Sequence, residues 1–251
     1  MSTRNEEASL TATPLGAPSL LGVEAGYERW APSYDQDPNP LTAREERYIE
    51  SFLPGVRGKN VLDLACGTGR WLEKTLACGA RFGTGVDCSN AMLRIAGRKS
   101  SIHGKLAQAD CMELPFAPSI FDFAICSFAL AHIQDLRSMA HALASVMKPS
   151  GEVFVSDLHP EAYARGWRTG FRDADSAVQI ETFRHMSEGI VQAFCSEGFE
   201  CLTYISLCLS EAERPIFVTA NKQHKFEEAC RVPAVLVFRF KRRSQAHRAA
   251  S

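Results

Sequence analysis

The chain has 251 residues, 45% of them hydrophobic and 23% charged, which suits one large α/β domain and argues against wholesale disorder. A net charge of −1 supplies no basic field for a nucleic-acid partner, and the short Lys241-Arg242-Arg243 run reads as a solvated tail. Nine scattered cysteines form no C-x-x-C pair and no Cys/His cluster with zinc spacing, so neither a metal site nor a disulfide framework is indicated.

Residues 1–20 are rich in Ser, Thr, Ala, Pro and Gly and read as a mobile leader. Arg4, Glu6 and Glu7 interrupt any apolar core there, which argues against a signal peptide, and no later run has the length of a membrane span. With unpaired cysteines, this points to a reducing, cytoplasmic setting. Residues 21–56 read as an N-terminal helical cover, 57–243 as the main domain and 244–251 as a tail. The cover holds Tyr27, Trp30 and Tyr34, three aromatic rings within eight residues and ahead of any expected strand. They suit either a helix packing its rings on the core or a segment folding over a ligand. A second helix is expected from Thr42, as N-cap, to Leu53, ended by Pro54-Gly55.

Val61-Leu62-Asp63-Leu64 is a short apolar run that leads through Ala65 into Cys66-Gly67-Thr68-Gly69, with a helix starting near Arg70-Trp71-Leu72. This describes a buried parallel strand with a ligand at its carboxyl end. The third glycine of a dinucleotide fingerprint is absent, since Leu72 stands there, and no P-loop Gly-Lys-Ser/Thr follows. A second strand runs from Arg81 to Asp87, whose acid falls 18 positions after Gly69, near the spacing that reaches a ribose hydroxyl. Ser89 caps the next helix, which carries Met92 and extends to Lys99. Leu106 to Asp110 is a third strand ending in an acid, and Phe121 to Cys126 a fourth, followed by Ser127 and a loop with His132. A helix over Leu136 to Lys148 leads through a turn at Pro149-Ser150-Gly151 to a fifth strand, Glu152 to Ser156. Periodicity then weakens, and an inserted lid is expected at about 157–182. A helix from Thr182 to Ser196 and two late strands, Phe199 to Leu209 and Ala234 to Phe240, complete the chain.

The pattern of strand, acid, small residue and Gly-x-Gly resembles motif I of the class I S-adenosylmethionine-dependent methyltransferases. The segment from Tyr27 to Asp35 is similar to the N-terminal cover of the ubiquinone/menaquinone-biosynthesis type. The resemblance implies a three-layer, Rossmann-like α/β fold, with a seven-stranded, mostly parallel sheet ending in a reversed hairpin. It implies S-adenosylmethionine as cofactor and S-adenosylhomocysteine as product. Gly67 and Gly69, after Ala65, would let the backbone approach the cofactor. Asp63 would help to position the methionine ammonium group and Asp87 would hold the ribose diol. Cys88 and Met92 would flank the adenine, Asp110 would meet its amine beside Cys111 and Met112, and Ser127 would lie near the methionine arm.

Candidate proton acceptors are His132, His159 and Tyr34, with His185 at the lid. Tyr27, Trp30, Arg168 and His185 are candidate substrate contacts. Arg165, Arg168 and Arg172 alternate with Tyr163, Trp167 and Phe171, which suits an anionic or aromatic acceptor as well as a solvated lid. Cys126-Ser127-Phe128-Ala129 departs from the Asn/Asp-Pro-Pro-aromatic run of nucleic-acid amino-methyltransferases, and the chain has no Pro-Cys dipeptide for cytosine-C5 chemistry. The expectation is therefore methylation of a small molecule by a monomer or homodimer without a membrane span. A non-catalytic cofactor-binding protein and a non-methylating enzyme of natural-product assembly are the alternatives.

Overall fold

The computed structural model describes residues 18–244 except 37 and 174–175, so most of the expected leader and nearly all of the tail lie outside the described residues. In chain order the elements are β1 (Ser19–Leu21), α1 (Val23–Trp30), α2 (Pro40–Ile49), β2 (Asn60–Leu64), α3 (Arg70–Ala77), β3 (Phe82–Asp87), α4 (Asn90–Ala96), β4 (Leu106–Gln108) and β5 (Phe121–Ser127). They continue with α5 (Leu136–Val146), β6 (Met147–Leu158), α6 (Pro160–Ala164), β7 (Gly170–Asp173), β8 (Ser176–Ile180), α7 (Ser187–Ser196), β9 (Phe199–Cys208), α8 (Arg214–Thr219), α9 (Phe226–Cys230) and β10 (Pro233–Arg242).

The main sheet has seven strands in the order β4-β3-β2-β5-β6-β10-β9. β10 alone runs against its neighbours, pairing antiparallel with both β6 and β9. The expected α/β sheet with its reversed hairpin is thus the observed one. Alternating side chains send β2 into two cores. Leu62 and Leu64 meet Ala124, Cys126, Leu143 and Phe194 on one face, while Val61 meets Ile49, Trp71, Phe123 and Ile125 on the other. Each fully buried Leu, Ile or Phe in these layers contributes roughly 1.5–3 kcal/mol of transfer free energy.

Several local expectations are corrected. The side chain of Asn39, not Thr42, caps α2 by accepting from Leu41 N–H at 2.9 Å, with Pro40 in the first turn. A 3-10 turn, Glu50–Val56, replaces the last turn of the expected helix. α7 begins only at Ser187, so His185 stands on an extended segment rather than a helix. The expected insertion is regular: β7 and β8 form a hairpin, and Ser19–Leu21, from the end of the leader, joins it in parallel as a separate three-stranded sheet.

Candidate functional site

Strand order reverses between β2 and β5: β3 and β4 lie outward on one side, β6 and β10 on the other. The crevice at the carboxyl ends of such neighbours is where open α/β sheets take ligands. Both strands end in left-handed backbone, Ala65 (φ 54°) after β2 and Phe128 (φ 52°) after β5. A side chain in that region costs roughly 1–2 kcal/mol, and such strain collects at functional sites. Gly67 (φ 54°) and Gly69 (φ 81°) complete the turn. A Cβ on Gly69 would strike Ile102, whereas one on Gly67 would meet nothing within 4 Å. Gly69 therefore serves the packing of α3, and Gly67 leaves the open space in which a ligand can touch backbone.

The acids stand around this loop. Asp87 accepts from Gly67 N–H at 2.7 Å through one oxygen and from Ser89 N–H at 2.8 Å through the other. Burial raises its pKa, only partly offset by those two bonds. Each oxygen keeps a second acceptor direction for a diol. Asp63 is buried and accepts from Leu72 N–H at 2.8 Å, closing the first turn of α3. Burial pushes its carboxyl up to about 7. Asp110 folds back on Met112 N–H at 2.8 Å, setting Cys111 and an exposed Met112 after β4. Burial and the neighbouring Asp110 push the Cys111 thiol up to about 12. Cys88 is exposed, and Met92 is buried with Ala31 and Ala91 against Tyr27 and Tyr34.

Ser127 has partners that its position in the sequence does not suggest. Its hydroxyl donates to Glu45 at 2.6 Å and accepts from Arg70 at 3.0 Å. Glu45 is fully buried, pairs with Arg70 at 2.7 Å and also receives the Ser156 hydroxyl. This network ties α2 to the ends of β5 and β6 and to the residue after the glycine loop. The available signal was register: Glu45 lies four residues from both Leu41 and Ile49, on the helix face that packs inward.

α1 closes the crevice from above. The Tyr27 hydroxyl lies 2.8 Å from His132 Nε2, and His132 Nδ1 lies 3.3 Å from the Glu181 carbonyl. A carbonyl only accepts, so Nδ1 carries the proton and Nε2 receives the phenol. Burial lowers the pKa of His132. It raises that of Tyr27, with further contributions from the charges of Tyr34, Asp157, Asp87 and Cys88. Burial likewise raises the pKa of Tyr34, with Arg70 opposing. Trp30 stacks on Phe171 of the β7–β8 hairpin at 5.1 Å and meets Tyr34 at 4.8 Å, so cover and lid are joined by aromatic contact.

His159 is used otherwise. Nδ1 accepts from Glu161 N–H at 3.1 Å, capping α6, and Nε2 lies 3.0 Å from the Ser206 hydroxyl. Both ring nitrogens are engaged, and the fold, not a substrate, holds them. His185 donates from Nε2 to the Ile133 carbonyl at 2.8 Å. It lines a cavity of about 370 Å³ with Asp157, Tyr163, Thr182, Arg184, Leu130 and others. Arg168 lies over the Tyr163 ring at 4.1 Å, as does Arg184 at 4.5 Å. Asp157, overshadowed in the sequence by the neighbouring histidine, is buried and accepts from Ala131 N–H at 2.7 Å and Leu158 N–H at 2.6 Å. Burial pushes it up to about 6. Its signal was an acid at a strand end, the same one that marked Asp87 and Asp110.

Comparison with known proteins agrees with this geometry. A family model described as "Methyltransferase domain" matches residues 61–151, from β2 into β6. The chain is 32% identical over 156 residues to the O-methyltransferase rstn1 of Aspergillus nomiae, covering 57% of this chain and 68% of that one. It is 30% identical to the ubiquinone biosynthesis O-methyltransferase of Idiomarina loihiensis, spanning 52% of this chain and about half, 54%, of that relative's length. In fold it is similar to an S-adenosylmethionine-dependent methyltransferase from Mesorhizobium loti, with a TM-score of 0.64 and 21% identity over 81% of this chain and 100% of that one. The chain belongs to the class I S-adenosylmethionine-dependent methyltransferases, and S-adenosylmethionine is its cofactor. The residues present fit that molecule: open backbone at Gly67, a half-buried acid with free acceptor directions at Asp87, and aromatic cover.

Proposed function

We propose that the protein methylates a small-molecule acceptor of anionic or aromatic character, held between α6 and the segment 182–186 that leads into α7, and that it does so in the cytoplasm. The observation that carries this reading is the cavity of about 370 Å³, which adjoins the switch-point crevice through Ala131 and Asp157. That volume is within the usual range for small-ligand sites. No described helix is long and apolar enough to cross a membrane, and the relatives do not favour a non-catalytic or non-methylating role.

In this reading Ala65, Gly67 and Gly69 follow the methionine part of the cofactor, with Asp63 behind them. Asp87 holds the ribose, while Cys88, Met92, Asp110, Cys111 and Met112 surround the adenine. Ser127 acts through Glu45 and Arg70 to fix the glycine loop. The bound cofactor supplies a sulfonium methyl for in-line displacement. The chain's part is to orient, to exclude water and to accept a proton where the acceptor carries one. Tyr27, Trp30 and Tyr34 exclude water. His132 is the candidate base, its Nε2 occupied by Tyr27 in this structure, and Tyr34 stands over the crevice beside Arg70. His159 is assigned to α6. Release of S-adenosylhomocysteine in an acceptor screen tests the reading. Acceptor-dependent release supports it, and release at the same slow rate with every small acceptor would sink it.

A further inference from the structure

The cavity lining carries three charged side chains, Asp157, Glu161 and Arg184; Glu161 has Arg165 at 3.8 Å, and the other two are not used against each other. Its walls are apolar, with Leu130, Phe183, Met186, Ile190 and Leu236 among them. Asp157 projects from the end of β6 into this lining, buried, with both oxygens held by backbone N–H groups and no cationic partner among the described residues. Arg184 on the lining and Arg168 beside it gather on the Tyr163 ring; Arg168 Nη1 donates to the Tyr163 and Trp167 carbonyls at 2.7 Å, and neither arginine has a carboxylate partner among the described residues. Arg29, Arg70, Arg137, Arg214 and Arg239 each pair with an acid within 3.0 Å, whereas Arg44, Arg81 and Arg242 bond to carbonyl or amide oxygens. The Tyr163 pKa is lowered, first by its bond to Thr182 and then by the two arginines, as expected for a rim of uncompensated positive charge.

We propose that this cavity is the acceptor site and that it selects an acid with an apolar body, which presents its anionic group to Arg184 and Arg168 and a hydroxyl or amine to Asp157. This rests on the methyltransferase reading and adds the substrate class to it. A buried carboxylate held by two N–H groups still has acceptor directions to fill, and a ligand O–H or N–H fills one of them without moving the protein. A guanidinium at the mouth of an apolar cavity gives a carboxylate a bidentate partner in partly desolvated surroundings, where such a pair discriminates strongly. The two groups thus read opposite ends of one molecule, and the apolar walls read its middle. His185, whose Nε2 is committed to Ile133, has no Nδ1 partner among the described residues and stands on the same lining.

The test is calorimetric titration of the full chain, saturated with S-adenosylhomocysteine, using three probes: 6-hydroxy-2-naphthoate, its neutral methyl ester, and 2-naphthoate, which lacks the hydroxyl. The hydroxy acid is expected to bind about tenfold or more tightly than either of the others. Arg184→Gln, a change at the rim, should erase the preference for acid over ester. Asp157→Asn should reduce the preference for the hydroxylated probe, because the amide nitrogen cannot accept. Equal binding of acid and ester, a preference for acid that survives in Arg184→Gln, or no binding of any probe would overturn the proposal. S-adenosylhomocysteine affinity, measured on the same samples, reads the methyltransferase assignment separately.

Discussion

Replacing Asp63 by Asn should stabilise the protein at pH 8 and do so much less at pH 5. The carboxyl is buried beneath the glycine loop, and burial moves it from an ordinary 3.8 to about 7. Between those values the folded state holds a proton that the unfolded chain has released. Stability therefore falls as pH rises from about 4 to about 7 and is level above. At about 1.4 kcal/mol per pH unit, burying this acid costs roughly 4 kcal/mol at pH 8, where it is ionised, and roughly 1.5 kcal/mol at pH 5, where it must take up a proton to fold. An amide oxygen accepts the Leu72 N–H less strongly than a carboxylate, which returns about 1 kcal/mol at pH 8. The expected net gain is about 3 kcal/mol there, and less than half of that at pH 5. Urea unfolding of both proteins at the two pH values, compared at equal slope, measures it. A variant less stable than the parent at pH 8, or one whose advantage does not change with pH, would show that Asp63 is held as an ion pair and refute the reasoning.

Asp87→Ala should weaken S-adenosylmethionine binding by roughly 1.5–3 kcal/mol, the worth of a charge-assisted bond; unchanged affinity by calorimetry would misplace the ribose. Ala65→Gly should raise stability by about 1 kcal/mol in chemical unfolding, because it relieves a left-handed side chain. A loss of stability would mean that chain entropy outweighs the strain. Tyr27→Phe removes the donor to His132 Nε2 while keeping the ring, so the neutral imidazole loses support and its pKa should move up. Titration of the ring protons by NMR reads that directly, and a downward shift would contradict the assigned tautomer.

The sheet was legible because its signals are local. Val61-Leu62 and Phe123-Ala124-Ile125 are apolar runs with a turn or an acid at the end, and Ser89 caps α4 as its position suggested. What was not legible depends on partners far along the chain. Ser19–Leu21 becomes a strand only because Val178–Ile180 lies beside it. Glu45 meets Arg70 and Ser156 only once distant parts of the chain converge on it. His159 followed by Pro160 drew attention as chemistry, whereas a histidine ahead of a proline that opens a helix is well placed to cap it. Asp157, two positions before it, is the buried acid on the cavity lining.

The most direct test of the cofactor assignment is calorimetric titration of the purified chain with S-adenosylhomocysteine, with NAD in parallel. The glycine loop, Asp87 and the aromatic cover predict saturable binding of roughly micromolar strength, about −8 kcal/mol, and no response to NAD. Binding of NAD, or silence from S-adenosylhomocysteine, would contradict that assignment and with it the roles of Gly67, Asp87 and the α1 cover.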